Sequence, residues 1–367
     1  MKLSILCNFG PYPSHGGSVG GSEAVISEIV EKLSKSPYNC KVDIYAHNYR
    51  KFSTYKNINL FPCPKGDNIV PRIAQDGHVM VYSDSQWNFG SMVGAIEKIA
   101  CKVSICLVGA YYMQSHPEIL ALLKQNKDRY RIITHSEGPD YKWAVENGLN
   151  PQIIPNGVSL SEFNEKKINF RKKYNIKEKY IFLNVSSFFY GKGQEILPDI
   201  YDELSQKIKD FVFVQISNSS SLYPYDEPFL SKCKKKAKGK NFIFLRDIDR
   251  EDVVAAFKSS DIFLMPSKKE VAPLVILESR AAKLPWVSMD VGNVKEQTGG
   301  RIIPTFNKDK KGYIIVDDNS IRSFADIILN LLENEEERQS IIEEGQKDIN
   351  KLDWKNIVPL YNKVFTS

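Results

Sequence analysis

The chain has 367 residues, of which 42% are hydrophobic and 26% charged, and this length allows two domains with separate cores. Its formal net charge of +6 is modest, and no apolar run approaches the length of a transmembrane helix. The six cysteines show neither a CxxC pair nor a His spacing suited to zinc, which disfavours a structural zinc protein and indicates buried thiols in a reducing compartment such as the cytoplasm.

Short β-rich runs alternate with amphipathic stretches through the first half of the chain. This alternation is typical of α/β proteins, in which helices cover both faces of a parallel sheet. The predicted strands are Lys2–Cys7, Lys41–Ala46, His78–Ser83, Lys102–Leu107 and Arg131–Thr134. The predicted helices are Ser22–Ser34, Ser91–Ile99, Pro117–Gln125 and Asp140–Glu146.

The pattern restarts after Ile154-Pro-Asn-Gly157 and the charged segment Glu165–Lys179, which together are typical of an interdomain connection. We therefore predict one domain over residues 1–165 and a second over 166–345. Two such halves predict a cleft between them and ligand binding beyond the carboxyl ends of the strands. The strands predicted for the second half are Tyr180–Val185, Phe211–Ile216, Asn241–Leu245, Ile262–Met265, Trp286–Met289 and Tyr313–Val316.

A glycine-rich turn that includes Gly16, Gly20 and Gly21 lies between the first strand and the first helix. The GxGxxG pattern cannot be placed on these glycines, and Ser22 stands where a P-loop has Lys. Two interpretations stay open. The backbone here approaches a phosphate or a sugar closely, or the segment is a plain loop in which Ser22 caps the helix.

A second short motif, Gly191-Lys192-Gly193, follows the strand Tyr180–Val185. A lysine held between two glycines after a strand is well placed to meet a diphosphate as a point charge. A single Gly-Lys-Gly is more often a surface turn, so this motif indicates a site only together with other residues.

The most informative motif is Glu270-Val-Ala-Pro-Leu-Val-Ile-Leu-Glu278, which follows the strand Ile262–Met265. Its second half predicts a helix whose amides would form an anion site at the helix start. Glu278 falls on the apolar face of that helix, where a carboxylate without a partner would be costly. Two solvated glutamates are the plain alternative. A ligand with hydroxyls at both ends and a diphosphate between them, such as a nucleotide sugar, matches the layout.

One dense basic run, Lys232–Lys240, lies near a helix end. A cationic helix C-terminus that faces water is the favoured interpretation. Peripheral contact with an anionic membrane surface is a minority one. Binding of nucleic acid is disfavoured because no aromatic residues are interleaved with the lysines.

Together these segments resemble glycosyltransferase family 4, the retaining nucleotide-sugar glycosyltransferases of GT-B fold (glycosyl transferases group 1). The resemblance covers nearly the whole chain and is most specific at Glu270 and Glu278. It is carried by Gly20-Gly-Ser-Glu23, Ile154-Pro-Asn-Gly-Val158 with Phe163, Lys192-Gly193, Ser260-Asp-Ile-Phe-Leu-Met-Pro-Ser267 and the acidic pair.

The resemblance implies two Rossmann-like parallel-sheet domains with an interdomain cleft, and a C-terminal helix over residues 346–367 that returns toward the first domain. It implies that Glu270 binds the hydroxyls of the donor sugar, that Glu278 binds the ribose, and that Lys192 neutralises the diphosphate, so Glu270 and Lys192 are the expected catalytic residues. Gly20 and Gly21 would line the phosphates. Further donor contacts are expected at Ser187, Arg246, Ile248, Pro273, Leu274 and Val275. A UDP- or GDP-linked donor is expected, with no cofactor and no metal.

The chain departs from the family pattern at three places. Ser187 stands where the family usually has an Arg, so one positive charge at the diphosphate is either missing or supplied from elsewhere, with Arg246 and Lys268 as the candidates. Val271-Ala-Pro273 replaces a common Gly-Phe-Gly, and Pro273 donates no amide hydrogen bond. A His common in the family is replaced by Leu107-Val-Gly109, which leaves His116 and His135 as candidates at the acceptor site.

The expected reaction is transfer of a sugar to a hydroxyl of a glycan, a lipid or another acceptor, with the anomeric configuration kept. One alternative is a sugar-nucleotide epimerase on the same fold. It would consume the donor without any acceptor, and product analysis without an acceptor would distinguish it from a transferase. A degenerate, non-catalytic carbohydrate-binding protein is another, supported by Ser187. A dehydrogenase is disfavoured because GxGxxG cannot be placed.

Overall fold

The computed structural model describes residues 1–7, 20–46, 52–63, 73, 77–83, 101–109, 117–164, 168–218, 226–304 and 307–367. These residues form two compact units, which we call unit 1 (Met1–Gly157 with Trp354–Ser367) and unit 2 (Val158–Asp353). The chain therefore passes from unit 1 to unit 2 after Gly157 and back after Asp353, against predicted borders at 165 and 345. The predicted helix Ser91–Ile99 and the candidate His116 lie outside the described residues.

Unit 1 contains an eight-stranded sheet of order β3-β4-β2-β1-β5-β6-β7-β8. All described neighbours are parallel except β3 and β4, which are antiparallel. The central strands β1, β2 and β6 are buried on both faces along nearly their whole length, as expected for a parallel sheet covered by helices. The strands are β1 Lys2–Cys7, β2 Lys41–Ala46, β3 Ser53–Tyr55, β4 Ile58–Pro62, β5 His78–Ser83, β6 Lys102–Leu107, β7 Tyr130–Thr134 and β8 Pro151–Ile153.

The described helices of unit 1 are α1 Gly21–Leu33, α2 Pro117–Gln125, α3 Pro139–Glu146 and, at the chain's end, α12 Trp354–Thr366. The last helix packs against α1 and β6. It buries Trp354, Ile357, Tyr361 and Val364, which recur at helical spacing on one face.

Unit 2 contains a six-stranded parallel sheet of order β11-β10-β9-β12-β13-β14. Its strands are β9 Tyr180–Val185, β10 Phe211–Ser217, β11 Phe242–Arg246, β12 Ile262–Met265, β13 Trp286–Met289 and β14 Gly300–Ile303. Its helices are α4 Leu160–Asn164, α5 Phe170–Lys173, α6 Leu197–Ser205, α7 Asp226–Lys236, α8 Arg250–Ser259, α9 Leu274–Ala281, α10 Asp318–Glu333 and α11 Glu335–Gln346. The described part of unit 2 also has short 3-10 turns at Tyr190–Lys192, Gln194–Ile196, Val294–Glu296 and Ile349–Leu352. Strands β9 and β12 are neighbours, so their carboxyl ends lie at the same edge of the sheet.

The α/β class and the two parallel-sheet, Rossmann-like units are confirmed, but one predicted strand is wrong. Tyr313–Val316 forms no strand; Ile314 makes only an isolated antiparallel bridge with Lys308 across a turn at Gly312, where φ is +79°. The edge position belongs to β14 instead. Gly300 in β14 looks like a turn residue in sequence, but a Cβ there would collide with the ring of Trp286, so close packing requires the glycine.

Candidate functional site

The turn that carries Lys192 follows the end of β9 and depends on Gly193. Gly193 has φ of +69°, and a Cβ at this position would collide with the carbonyl oxygen of Pro266, just beyond the end of β12. Only glycine accommodates both constraints without strain. A hydrogen bond of 2.8 Å from the amide of Lys268 to the carbonyl of Gly191 ties the two strand ends together.

Gln194, which the sequence analysis did not select, stabilises the same turn through hydrogen bonds of its buried side chain. Its side chain is fully buried, and Nε2 donates to the carbonyl oxygen of Ser187 at 2.7 Å and to Oγ of Ser186 at 2.8 Å. No signal in the sequence marks this role, because the burial of Gln194 is visible only in the structure. Ser187 is thereby held by its main chain, at the place where the family pattern has an Arg.

Lys192 and Glu270 meet across the ends of β9 and β12. The ammonium Nζ of Lys192 lies 2.7 Å from Oε1 of Glu270, although the two residues are 78 positions apart in the chain. Both side chains are largely shielded, with 27% of Lys192 and 13% of Glu270 exposed. A partly desolvated ammonium of this kind interacts more strongly with an anion than one in bulk water does.

The loop after Glu270 leads directly into α9. Its carbonyl at Val271 accepts a hydrogen bond of 2.9 Å from the amide of Asn293. The close approach needs Gly292, because a Cβ there would collide with that carbonyl and φ is +54°. Pro273 is the N-cap residue, and Leu274 and Val275 open the first turn. Within the described part of the chain no side chain caps this helix and its first turn holds no acidic residue, so it can receive an anion.

Glu278 lies one turn further along α9, and its partner is Arg250 at the start of α8. Nη1 of Arg250 lies 2.5 Å from Oε1 of Glu278, and Nη2 lies 2.8 Å from Oε2 of Glu162 in α4. Partial burial alone would lower the pKa of Arg250, but the carboxylates of Glu278 and Glu162 raise it, so the guanidinium stays charged. Neither Arg250 nor Glu162 was predicted; their positions in sequence give no signal.

The two residues expected to supply the charge missing at Ser187 each have a carboxylate partner. Arg246, at the end of β11, pairs with the exposed Glu227. Lys268 is buried, pairs with Glu195, and places its Nζ 3.9 Å from the centre of the Tyr190 ring. Ile248 is half-buried in the turn that follows β11.

Comparison with known protein families identifies the family of unit 2. Residues 166–348 match the family described as "Glycosyl transferases group 1". Unit 2 belongs to the glycosyl transferases group 1. It is therefore a glycosyltransferase unit of the GT-B type.

Two curated relatives extend the comparison to the rest of the chain. The sulfoquinovosyl transferase of Arabidopsis thaliana is 23% identical over 325 residues, which cover 80% of this chain and 60% of that protein. The chain thus spans less than two thirds of that relative. An uncharacterized glycosyltransferase of Methanocaldococcus jannaschii is 25% identical over 385 residues, covering 100% of this chain and 98% of the relative.

The fold has close counterparts among solved structures. Anabaena HepE in complex with UDP-glucose superposes with a TM-score of 0.74 at 14% identity and covers 100% of this chain and 99% of that one. At this identity the likeness shows the fold alone.

The two glycines of unit 1 that were expected to line the phosphates lie at the start of helix α1. Gly20 is the N-cap residue of α1 and Gly21 its first residue. The carboxylate of Glu23 in the first turn is buried, which raises its pKa, although it accepts hydrogen bonds from the amides of Glu23 and Gly20. A Cβ at Gly20 would collide with this carboxylate. The role of the two glycines at a phosphate stays a prediction.

His135 lies inside the unit 1 core. Its Nδ1 donates to the carbonyl of Ile154 at 3.0 Å, and Nε2 is 3.3 Å from the hydroxyl of Tyr82. Burial lowers the pKa of His135, with smaller opposing effects from Ile154 and Asp140. These contacts account for the residue structurally, and its role at an acceptor stays a prediction, as does that of His116.

Three further expectations concern surfaces and metals. In the run Lys232–Lys240, Lys236 pairs with Asp199 and Lys240 with Asp202. None of the helices among the described residues is both long and apolar enough to span a bilayer. In the same part of the chain, no three His, Cys, Asp or Glu side chains converge in a way that could hold a metal ion.

Proposed function

We propose that the chain is a retaining glycosyltransferase of family 4 that moves a sugar from a UDP- or GDP-linked donor to an acceptor hydroxyl. The observation that carries the proposal is the Lys192–Glu270 ion pair just before α9, with Glu278 one turn inside that helix. The relatives support a sugar donor: one is named a sulfoquinovosyl transferase, and the similar Anabaena structure contains UDP-glucose.

Each part of the arrangement suits one part of a nucleotide sugar. Glu270 accepts hydrogen bonds from the hydroxyls of the sugar, and Lys192 beside it faces the adjoining diphosphate. Amides at Leu274 and Val275 bind phosphate oxygens at the start of α9. Glu278, held by Arg250, accepts hydrogen bonds from the ribose. Arg246 and Ile248 complete the donor contacts within unit 2.

Lys192 is the residue on which the chemical step depends in this proposal. When the bond between the anomeric carbon and the diphosphate breaks, negative charge develops on the departing phosphate oxygen. A positioned ammonium stabilises that charge without reorganising at the moment of reaction. No carboxylate acts as a covalent nucleophile, and no metal or cofactor takes part.

The test is a thermal-shift panel of UDP, GDP, ADP and their common sugars, with and without divalent metal. Ligand at about 100 times its Kd stabilises the folded state by about 2.7 kcal/mol, which raises Tm by roughly 5–10 °C for a unit of this size. We expect one base to give this shift without metal. Glu278→Gln should abolish most of it, whereas Glu336→Gln on exposed α11 should leave it unchanged. A chain that no nucleoside diphosphate stabilises would contradict the proposal.

A second candidate is a nucleotide-binding unit that has lost catalysis. The observation that favours it is the engagement of Arg246 and Lys268 with Glu227 and Glu195, because neither charge then compensates for Ser187. Binding of a nucleotide sugar without any consumption of the sugar, over hours and with a panel of glycan and lipid acceptors, would support this second candidate.

A further inference from the structure

Unit 2 carries a surface on which apolar and basic side chains are exposed together. Phe189, Tyr190 and Ile315 are exposed by 40%, 50% and 53%, which is high for large apolar residues. Lys308, Lys310 and Lys311 are exposed beside them on the turn that ends at the Lys308–Ile314 bridge. We call these six residues the lysine–aromatic patch.

The two segments of the patch are in contact. The rings of Tyr190 and Tyr313 have their centres 5.8 Å apart. Lys269 packs on the second segment, because its Nζ lies 5.1 Å from the centre of the Tyr313 ring and donates to the carbonyl of Lys311 at 2.9 Å. The exposed side chains therefore belong to one continuous surface.

The charge of the patch is positive. The one acidic residue within 308–315 is Asp309, whose Oδ1 accepts hydrogen bonds from the amides of Lys311 and Tyr313 at 2.8 and 2.9 Å and so shapes the turn. The three lysines have no carboxylate partner within 4 Å among the described residues. Lys269 adds a further positive charge, and its burial lowers its pKa.

We propose that the lysine–aromatic patch binds an anionic phospholipid surface. Lysines near such a surface are attracted by its negative potential, and exposed aromatic and aliphatic side chains insert at the boundary between head groups and acyl chains. A polyanion without an apolar layer, such as a nucleic acid, would leave Ile315 without a binding role.

The basic run Lys232–Lys240 provides the internal contrast. Five of its lysines, 232, 234, 235, 236 and 238, are exposed, but the run itself contains no large exposed apolar residue. Lys236 and Lys240 are occupied by Asp199 and Asp202. Both regions thus expose several lysines, and of the two segments only the patch itself includes exposed large apolar side chains.

The experiment measures sedimentation of the full chain with vesicles of phosphatidylcholine alone and of phosphatidylcholine with phosphatidylglycerol. We expect binding only to the anionic vesicles, weakened by salt. Each lysine removed should weaken binding about fivefold, so Lys308→Ser, Lys310→Ser and Lys311→Ser combined should weaken it about 100-fold. The matched triple Lys232→Ser, Lys234→Ser and Lys235→Ser should change binding much less.

The apolar contribution is tested at Ile315. Ile315→Ser should weaken vesicle binding several-fold and Ile315→Trp should strengthen it, whereas a purely electrostatic attachment would respond to neither. Equal losses in the two lysine triples, equal binding to neutral vesicles, or binding to a single-stranded oligonucleotide in place of vesicles would each overturn the proposal. Vesicle binding needs no sugar donor, so its outcome is independent of the nucleotide panel.

Discussion

The two units bury different basic groups: the described part of unit 1 buries histidines, and that of unit 2 buries a lysine and an arginine. All five histidines of the chain fall within the range of unit 1, and the two that the structure describes, His78 and His135, are buried there. Unit 2 has no histidine and instead holds buried cations in ion pairs, Lys268 with the buried Glu195 and Arg280 with the half-exposed Asp348. We therefore expect unit 1 to weaken in mild acid and unit 2 to depend on intact ion pairs.

The largest effect is expected when one partner of a buried pair in unit 2 is removed. Lys268→Ala leaves the carboxylate of Glu195 buried without its cation, which typically lowers the free energy of unfolding by about 3–5 kcal/mol. Pulse proteolysis in urea, with peptides assigned to each unit, should show this loss in unit 2 and none in unit 1.

The matched control replaces both partners. Lys268→Met combined with Glu195→Leu removes the charges together, and such replacements are often neutral or stabilising. If the double variant were as unstable as Lys268→Ala, packing around Tyr190 and not the unpaired charge would explain the loss.

In unit 1 the corresponding prediction concerns His78. Burial, with the positive charges of Lys102 and Arg131, lowers its pKa to about 4, and its Nε2 lies 2.7 Å from Oγ of Ser104. In the unfolded chain the pKa is about 6.5. As the pH falls, the unfolded state therefore takes up a proton before the folded state does. The free energy of unfolding of unit 1 should fall by about 3 kcal/mol between pH 6.5 and pH 4.

The same proteolysis assay between pH 7 and pH 4 checks this prediction. Unit 1 should lose stability through that range and unit 2 much less. His78→Gln keeps a hydrogen-bonding side chain but cannot titrate, so it should flatten the pH dependence of unit 1. An unchanged profile in that variant would assign the acid sensitivity to another group, with His135 next to be tested.

The sequence predicted the parts of this contrast that depend on local pattern. Buried strands such as Ile262–Met265 are visible as apolar runs, and Glu278 is visible because a carboxylate falls on an apolar helix face. What could not be predicted is partner choice. Arg250 reaches Glu278 and Glu162 only because α8, α9 and α4 pack together, and three exposed-looking charges in sequence carry no mark of that packing. Strand β14 was not predicted, because the sequence does not show that its Gly300 packs against the Trp286 ring.

At the candidate site the contrast becomes one between stability and catalysis. Lys192 is 27% exposed and Glu270 13%, so removing Lys192 should destabilise unit 2 less than removing Lys268, which is only 7% exposed. Lys192→Ala should nevertheless lower turnover of the preferred nucleotide sugar by about 100-fold or more, the usual scale for losing one electrostatic stabiliser. Lys207→Ala, an exposed lysine after α6, is the matched control. Unchanged turnover in Lys192→Ala would remove the residue from the chemical step.

The smallest effect is expected at Arg250, and it separates binding from chemistry at the far end of the site. Arg250 is 45% exposed and pairs with Glu278. In the proposed site Arg250 does not face the diphosphate. Arg250→Ala should therefore free the Glu278 carboxylate to move and weaken nucleoside diphosphate binding about fivefold, close to 1 kcal/mol, with kcat unchanged. Titration calorimetry with the nucleotide found in the panel measures the first quantity and initial rates measure the second. Glu162→Gln is the control within the same network: it loosens Arg250 while leaving the Arg250–Glu278 pair in place, so its effect on Kd should be smaller. A drop in kcat with Kd unchanged would instead place Arg250 beside the reacting diphosphate, and the ribose position assigned to Glu278 would then have to move with it.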